Sequence, residues 1–274
     1  MDKKTVAVRG KKTTYLDCGE PDAPAVLLLH GFPESSLLWE ETAPAVQKAG
    51  YRAIAPDLPG FGQSEPFDEP STWERYMEFI SDFADTLSLE AFHLVTHDWG
   101  GPIGTRWACH HPGRIRSLFL ADTLFSPDYV WHKDAQILRT PGGGEQWVSY
   151  LQNRPVFEGF MNRAIPLASE AVVNDFYALF GDPGRHRIPL ELYRSGDMEK
   201  LEPYRGRLAE LLPVPVTILF GEHDPYIAPA LGVKLKEEEL PHASYHLLPG
   251  IGHFAPLEAP AEFNAILTAH LTQV

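Results

Sequence analysis

Dense apolar blocks alternate along this chain with longer stretches in which apolar residues recur every three or four positions. "APAVLLLH" (residues 23–30) is bounded by Pro and Gly and is too apolar for a half-exposed strand, so it predicts a strand covered on both faces. "YRAIAPD", "AFHLVTH", "IRSLFLAD", "VPVTILFGEHD" and "SYHLLPG" repeat the pattern, and "TVAVRG" with "TTYLDCG" predicts an opening hairpin. Helical periodicity falls at 37–49, 72–88, directly after Asp98, 229–239 and 260–272. Strands alternating with helices predict βαβ units in a mainly parallel sheet of an α/β fold. The rhythm breaks between Phe125 and Leu212, a stretch rich in Tyr, Trp, Phe, Pro and Arg that reads as helices and loops. The predicted division is a core of residues 1–124 and 213–274, with a helical cap at 125–212 closing over the strand ends.

Composition narrows the functional classes. The 274 residues, 44 % apolar and 11 % aromatic, suffice for one large α/β domain with an insertion. The net charge of −14 argues against nucleic acid or an anionic membrane as partner. Cys18 and Cys109 stand far apart, which predicts buried, reduced thiols rather than a disulfide framework. The start "MDKKTVAVRGKK" lacks a signal-peptide core and no run of about 18 apolar residues is present, so a cytoplasmic protein, monomer or homodimer, is expected. The twelve histidines show no metal-ligand spacing, and no metal or cofactor is assigned.

In open α/β sheets ligands gather beyond the carboxyl ends of the strands. Loops following predicted strands there offer Asp98 in "LVTHDWGGPIG", Asp224 in "GEHDP" and His253 in "GIGHF", the chain order of a nucleophile, an acid and a histidine. Alone, Asp98 could be a helix cap and His253 a core histidine. Two glycines after Asp98 and the matching seats of the other two favour a reactive site. His30 and His97 read as supports.

"HGFPES", "THDWGG", "GEHDP" and "GIGHF", in this order, resemble the aspartate-nucleophile branch of the α/β-hydrolase family, which includes epoxide hydrolases and haloalkane dehalogenases. The resemblance spans both ends of the core and is weakest in the insertion. It implies an eight-stranded, mostly parallel sheet. It also implies that Asp98 displaces a leaving group at an sp³ carbon to form an alkyl ester, which His253, oriented by Asp224, hydrolyses with water. The backbone N–H groups of Phe32 and Trp99 would be the oxyanion donors. Asp122, at the end of "IRSLFLAD", is an alternative acid.

For the leaving group, "LELYRSGDMEKL" resembles the segment that carries a proton-donating tyrosine of epoxide hydrolases, nominating Tyr193. The second tyrosine has no motif, leaving Tyr129 and Tyr150. A halide would instead need N–H donors such as Trp99 with Trp147 or Trp131. Trp99, Phe32, Tyr129, Trp147 and Tyr150 are the expected substrate contacts. The reading is an epoxide hydrolase acting on a small hydrophobic substrate and water, with a haloalkane dehalogenase as alternative. A lyase or isomerase using Asp98 as base, or a ligand-binding protein on the same fold, stays open.

Overall fold

The computed structural model describes residues 3–166 and 168–273. Eight strands form one sheet: β1 (Lys4–Val8), β2 (Lys11–Cys18), β3 (Ala25–Leu29), β4 (Arg52–Pro56), β5 (Phe92–His97), β6 (Ile115–Ala121), β7 (Val216–Gly221) and β8 (Ser244–Leu248), in the spatial order β1-β2-β4-β3-β5-β6-β7-β8. β1 pairs with β2 and β2 with β4 antiparallel; every later pairing is parallel. All residues of β3, β5 and β7 are buried, as expected where helices cover both faces of a parallel sheet. The edge strands β1 and β8 keep exposed positions.

The helices outside the β6–β7 connection are α1 (Thr42–Lys48), α2 (Trp73–Thr86), α3 (Gly100–His110), α10 (Pro229–Glu238), α11 (Ala255–Glu258) and α12 (Pro260–Leu271). α2 shows why its sequence is helical. Thr72 caps it through the Arg75 N–H, and Trp73, Tyr76, Ile80 and Phe83 recur at three- and four-residue spacing on the buried face. The helix expected over 37–49 is divided, because Ser35 caps a short 3-10 turn at Ser36–Trp39 before α1 begins.

Between β6 and β7 the chain builds α4 (Lys133–Arg139), α5 (Gly143–Leu151), α6 (Arg154–Ala164), α7 (Glu170–Gly181), α8 (Arg187–Ser195) and the short α9 (Leu208–Leu211), and no strand among the described residues. Arg139 ties α4 to the end of α8 by donating to the carbonyls of Tyr193 at 2.6 Å and Gly196 at 2.7 Å. A buried ion cluster joins α7 to the sheet. Lys3 donates to Asp57 beyond β4 at 2.9 Å and to Asp175 of α7 at 2.6 Å, with all three side chains at most 8 % exposed. Both cysteines are free, but Cys18 is half-buried rather than buried, its Sγ meeting Gln47 at 2.9 Å where β2 nears its end. No helix among the described residues is long and apolar enough to cross a membrane.

Candidate active site

The sheet places Asp98 directly after β5, at the turn into α3. Its φ of 47° lies in the left-handed region, so the chain reverses sharply and the carboxylate projects beyond the strand end. Small neighbours make the turn possible. A Cβ on Gly31 would overlap the Asp98 carboxylate, and one on Gly101 would overlap Thr123. Thr123 Oγ1 also donates to the Asp98 carbonyl at 2.6 Å, fixing the turn to the end of β6.

The two carboxylate oxygens of Asp98 differ. Oδ1 accepts the Phe32 backbone N–H at 2.8 Å, whereas Oδ2 lies 3.6 Å from His253 Nε2. Trp99 sits at the N-cap of α3, outside the helix's own hydrogen-bond ladder, so its N–H is not consumed there. Across the imidazole, His253 Nδ1 meets Asp224 Oδ2 at 2.7 Å. The other Asp224 oxygen accepts the N–H groups of Tyr226 at 2.8 Å and Ile227 at 2.9 Å, which orients the carboxylate. The fold thus assembles, in the chain order Asp98, Asp224, His253, three residues from separate loops, the last two 29 positions apart in sequence.

The charges reinforce one another. Burial favours the neutral carboxyl at Asp98, but His253, and behind it His97, outweigh it and hold the group below the usual carboxylate range. Burial likewise opposes charge on His253, yet Asp224 and Asp98 on either side raise its pKa well above the ordinary imidazole value. Asp98 and His253 thus each favour the charged form of the other.

His30 and His97 hold the surrounding loops. His30 Nε2 accepts the Leu58 N–H at 2.9 Å and its Nδ1 donates to the Gly31 carbonyl at 2.8 Å. Glu34 takes the Gly31 N–H at 2.6 Å with one oxygen and faces His97 Nδ1 at 2.7 Å with the other, while His97 Nε2 donates to the His253 carbonyl at 2.7 Å. Glu34, His97 and His253 bring ligand-type atoms within 4.8 Å of one another. Glu34 Oε1 and His97 Nδ1 face each other as an ion pair and the remaining contacts go to Gly31 and the His253 carbonyl, so the group reads as a clasp that ties these loops together.

Asp122, the alternative acid, follows β6 with a φ of 42° and is fully buried. Its Oδ1 accepts the Gly221 N–H at 2.7 Å, and Oδ2 has no partner among the described residues. Burial, only partly countered by His97 and His253, pushes its pKa up to about 8, leaving it mostly neutral at pH 7.

Asp98 opens into a cleft with two lobes whose free space, open mouths included, is about 390 and 300 Å³. Phe32, Trp147, Phe160 and Tyr226 line the first, which also contains His253; Trp99, Tyr129, Trp131 and Met198 line the second. Tyr193 borders both, its ring centroid 4.9 Å from Trp99 and 5.3 Å from Phe32. Tyr150 is not in the cleft: it lies on the outer face of α5, 65 % exposed, because the buried face of that helix carries Val148 and Leu151. Sequence reasoning passed over His132, Asp134, Phe160 and Tyr226, which the fold brings to the cleft. Tyr226 could have been found, since it stands two residues after Asp224; His132 carries no local signal.

A family model for the α/β-hydrolase fold matches residues 24–260. A haloalkane dehalogenase of Psychrobacter cryohalolentis is 31 % identical over 229 residues, covering 78 % of this chain and 72 % of the relative. Epoxide hydrolase 3 of Mus musculus is 26 % identical over 282 residues, covering 96 % and 74 %. The crystal structure of a putative ancestral haloalkane dehalogenase superposes with a TM-score of 0.83 at 25 % identity, covering 98 % of each chain. Fold and relatives agree: the chain belongs to the α/β-hydrolase family, as a hydrolase of the epoxide hydrolase and haloalkane dehalogenase type.

Proposed function

We propose that this hydrolase works through an alkyl ester on Asp98 and that its leaving group is the oxygen of an epoxide. The observation that carries the reading is the asymmetry of Asp98 beneath Tyr193. Oδ1 already rests on an amide donor, while Oδ2 is free to attack carbon. An ionised aspartate needs no base to become a nucleophile, unlike serine. As the ring C–O bond breaks, the oxygen takes the Tyr193 phenol proton. Burial, and next the nearby Asp98 charge, keep that phenol's pKa well above its usual value, so the proton is present across the physiological range.

Ester formation removes the Asp98 charge and with it part of what holds the proton on His253. The imidazolium then releases its proton, which restores the phenol, and the neutral ring becomes a base. Water attacks Cγ of Asp98 while His253 Nε2 takes its proton, and the oxyanion develops on Oδ1 facing the Phe32 N–H. Collapse releases the diol and returns Asp98 as carboxylate and His253 as imidazolium, so the cycle balances.

The second reading is halide displacement, favoured by the 31 % identical haloalkane dehalogenase and by Trp99, Trp131 and Trp147 around the cleft. Intact-protein mass of the His253→Gln variant, incubated with epoxides and haloalkanes, separates the two. A gain equal to a whole epoxide, mapped to Asp98, is the expected result. A gain equal to a haloalkane less hydrogen halide, with no epoxide adduct, would transfer the assignment to dehalogenation. Unimpaired steady-state turnover by this variant would sink the ester mechanism.

A further inference from the structure

The two lobes of the cleft meet over Asp98, and among the described residues three line both: Asp98, Tyr193 and His132. The first two have parts in the reaction above; the third does not. Epoxide opening puts charge on an oxygen that faces away from the attacking carboxylate, so preorganised donors are needed on the opposite wall. Tyr193 provides one O–H. Tyr129, which lines the second lobe, has its proton committed, because its hydroxyl donates to the Tyr226 carbonyl at 3.2 Å.

His132 has a donor to spare. Its Nδ1 accepts the Ala135 backbone N–H at 3.4 Å, capping α4, which leaves the ring proton on Nε2. No hydrogen-bond partner for Nε2 is present among the described residues. The ring is held in place from the side, edge-on to Tyr226 at 5.3 Å, and Tyr226 in turn packs on His253 at 5.1 Å. Burial keeps the imidazole below its usual pKa, against the pull of Asp98, so Nδ1 stays free to accept.

We infer that His132 is the second hydrogen-bond donor to the epoxide oxygen, its Nε2–H acting beside the Tyr193 O–H; the inference rests on the epoxide reading above. Proton transfer still comes from Tyr193. His132 keeps its proton and lowers the barrier by meeting the charge as the C–O bond breaks.

The test measures the single-turnover alkylation rate in the His253→Gln background. The probe is whichever of styrene oxide, trans-stilbene oxide and 1,2-epoxydecane labels that variant fastest. His132→Asn retains a good helix cap but removes the Nε2 donor, whereas His132→Gln places an amide N–H near the lost position. Alkylation on the order of 10²-fold slower with Asn, partly restored with Gln, is expected. Alkylation by the Asn variant within about threefold of its parent, far below what a lost general-acid partner costs, would overturn the inference while leaving the epoxide reading intact. Equal slowing by both substitutions would place the effect in packing and also overturn it. Failure of every epoxide to label His253→Gln itself would remove both readings together.

Discussion

At the strand-start end of the sheet, away from Asp98, His93 Nδ1 meets Ser117 Oγ at 2.8 Å, the same hydroxyl meets His270 Nε2 at 2.8 Å, and Thr217 Oγ1 meets His270 Nδ1 at 2.9 Å. Both rings are at most 3 % exposed, and burial lowers each pKa from 6.5 to about 4, with Arg116 adding to the effect on His93 and His93 to that on His270. A folded-state pKa below the unfolded one means that the unfolded chain binds the proton first. Stability from these groups is therefore complete above pH 6.5 and is lost as pH falls toward 4. Each histidine contributes a slope of about 1.4 kcal/mol per pH unit in that window, or about 3.4 kcal/mol across it.

Other groups overlap this range. Asp122, raised to about 8, gains stability as pH falls, while His253 and His97, raised above 6.5, contribute a constant amount below it. A difference experiment isolates the pair. His93→Asn keeps an acceptor or donor near the Nδ1 position for Ser117 and removes one titrating group. Urea unfolding followed by tryptophan fluorescence from pH 4.5 to 8 should show the variant gaining on the wild type by about 1.4 kcal/mol per pH unit below pH 6.5, with the difference levelling off above it. Parallel stability curves across the whole range would refute a buried, neutral His93.

Two further perturbations probe the site and its supports. Asp224→Asn retains an oxygen for the Tyr226 and Ile227 amides but presents an N–H to His253 Nδ1, forcing the ring proton onto Nε2. One equivalent of ester should form and its hydrolysis fall on the order of 10⁴-fold, read as a burst followed by a stall; undiminished steady-state hydrolysis would exclude the role assigned to Asp224. Lys3→Met leaves Asp57 and Asp175 buried side by side without their cation, at an expected cost of about 3–5 kcal/mol. Chemical denaturation should recover much of that loss in Lys3→Met/Asp175→Asn, and a single variant as stable as the wild type would show that the cluster contributes nothing.

The elements around Asp98 were legible because local patterning and tertiary need coincide there. The apolar run Ala25–Leu29, bounded by Pro and Gly, reads as a strand buried on both faces, and Gly100 and Gly101 after Asp98 open α3 where a Cβ would overlap the Leu29 and His30 carbonyls or the Thr123 side chain. Asp224 and His253 were legible as candidates in the order of the loops that follow predicted strands, and Phe32 through the family resemblance. Tyr150 shows the limit, since an aromatic in the insertion has no strand end to anchor it and α5 turns it to solvent. Asp122 shows another: its place after β6 resembles that of an acid, and burial decides instead that it is mostly protonated at neutral pH.

The amino-acid sequence by itself determined the parallel sheet, the position of Asp98 at its turn, and the order of the groups beside it, because strand burial and turn geometry are written in neighbouring residues. Only the tertiary structure decided which oxygen of Asp98 is free, that Tyr129 spends its proton on Tyr226, and that His132 reaches the centre of the cleft. Those outcomes depend on helices α4 to α8 folding back over the sheet, which brings together residues whose separation along the chain carries no periodic signal.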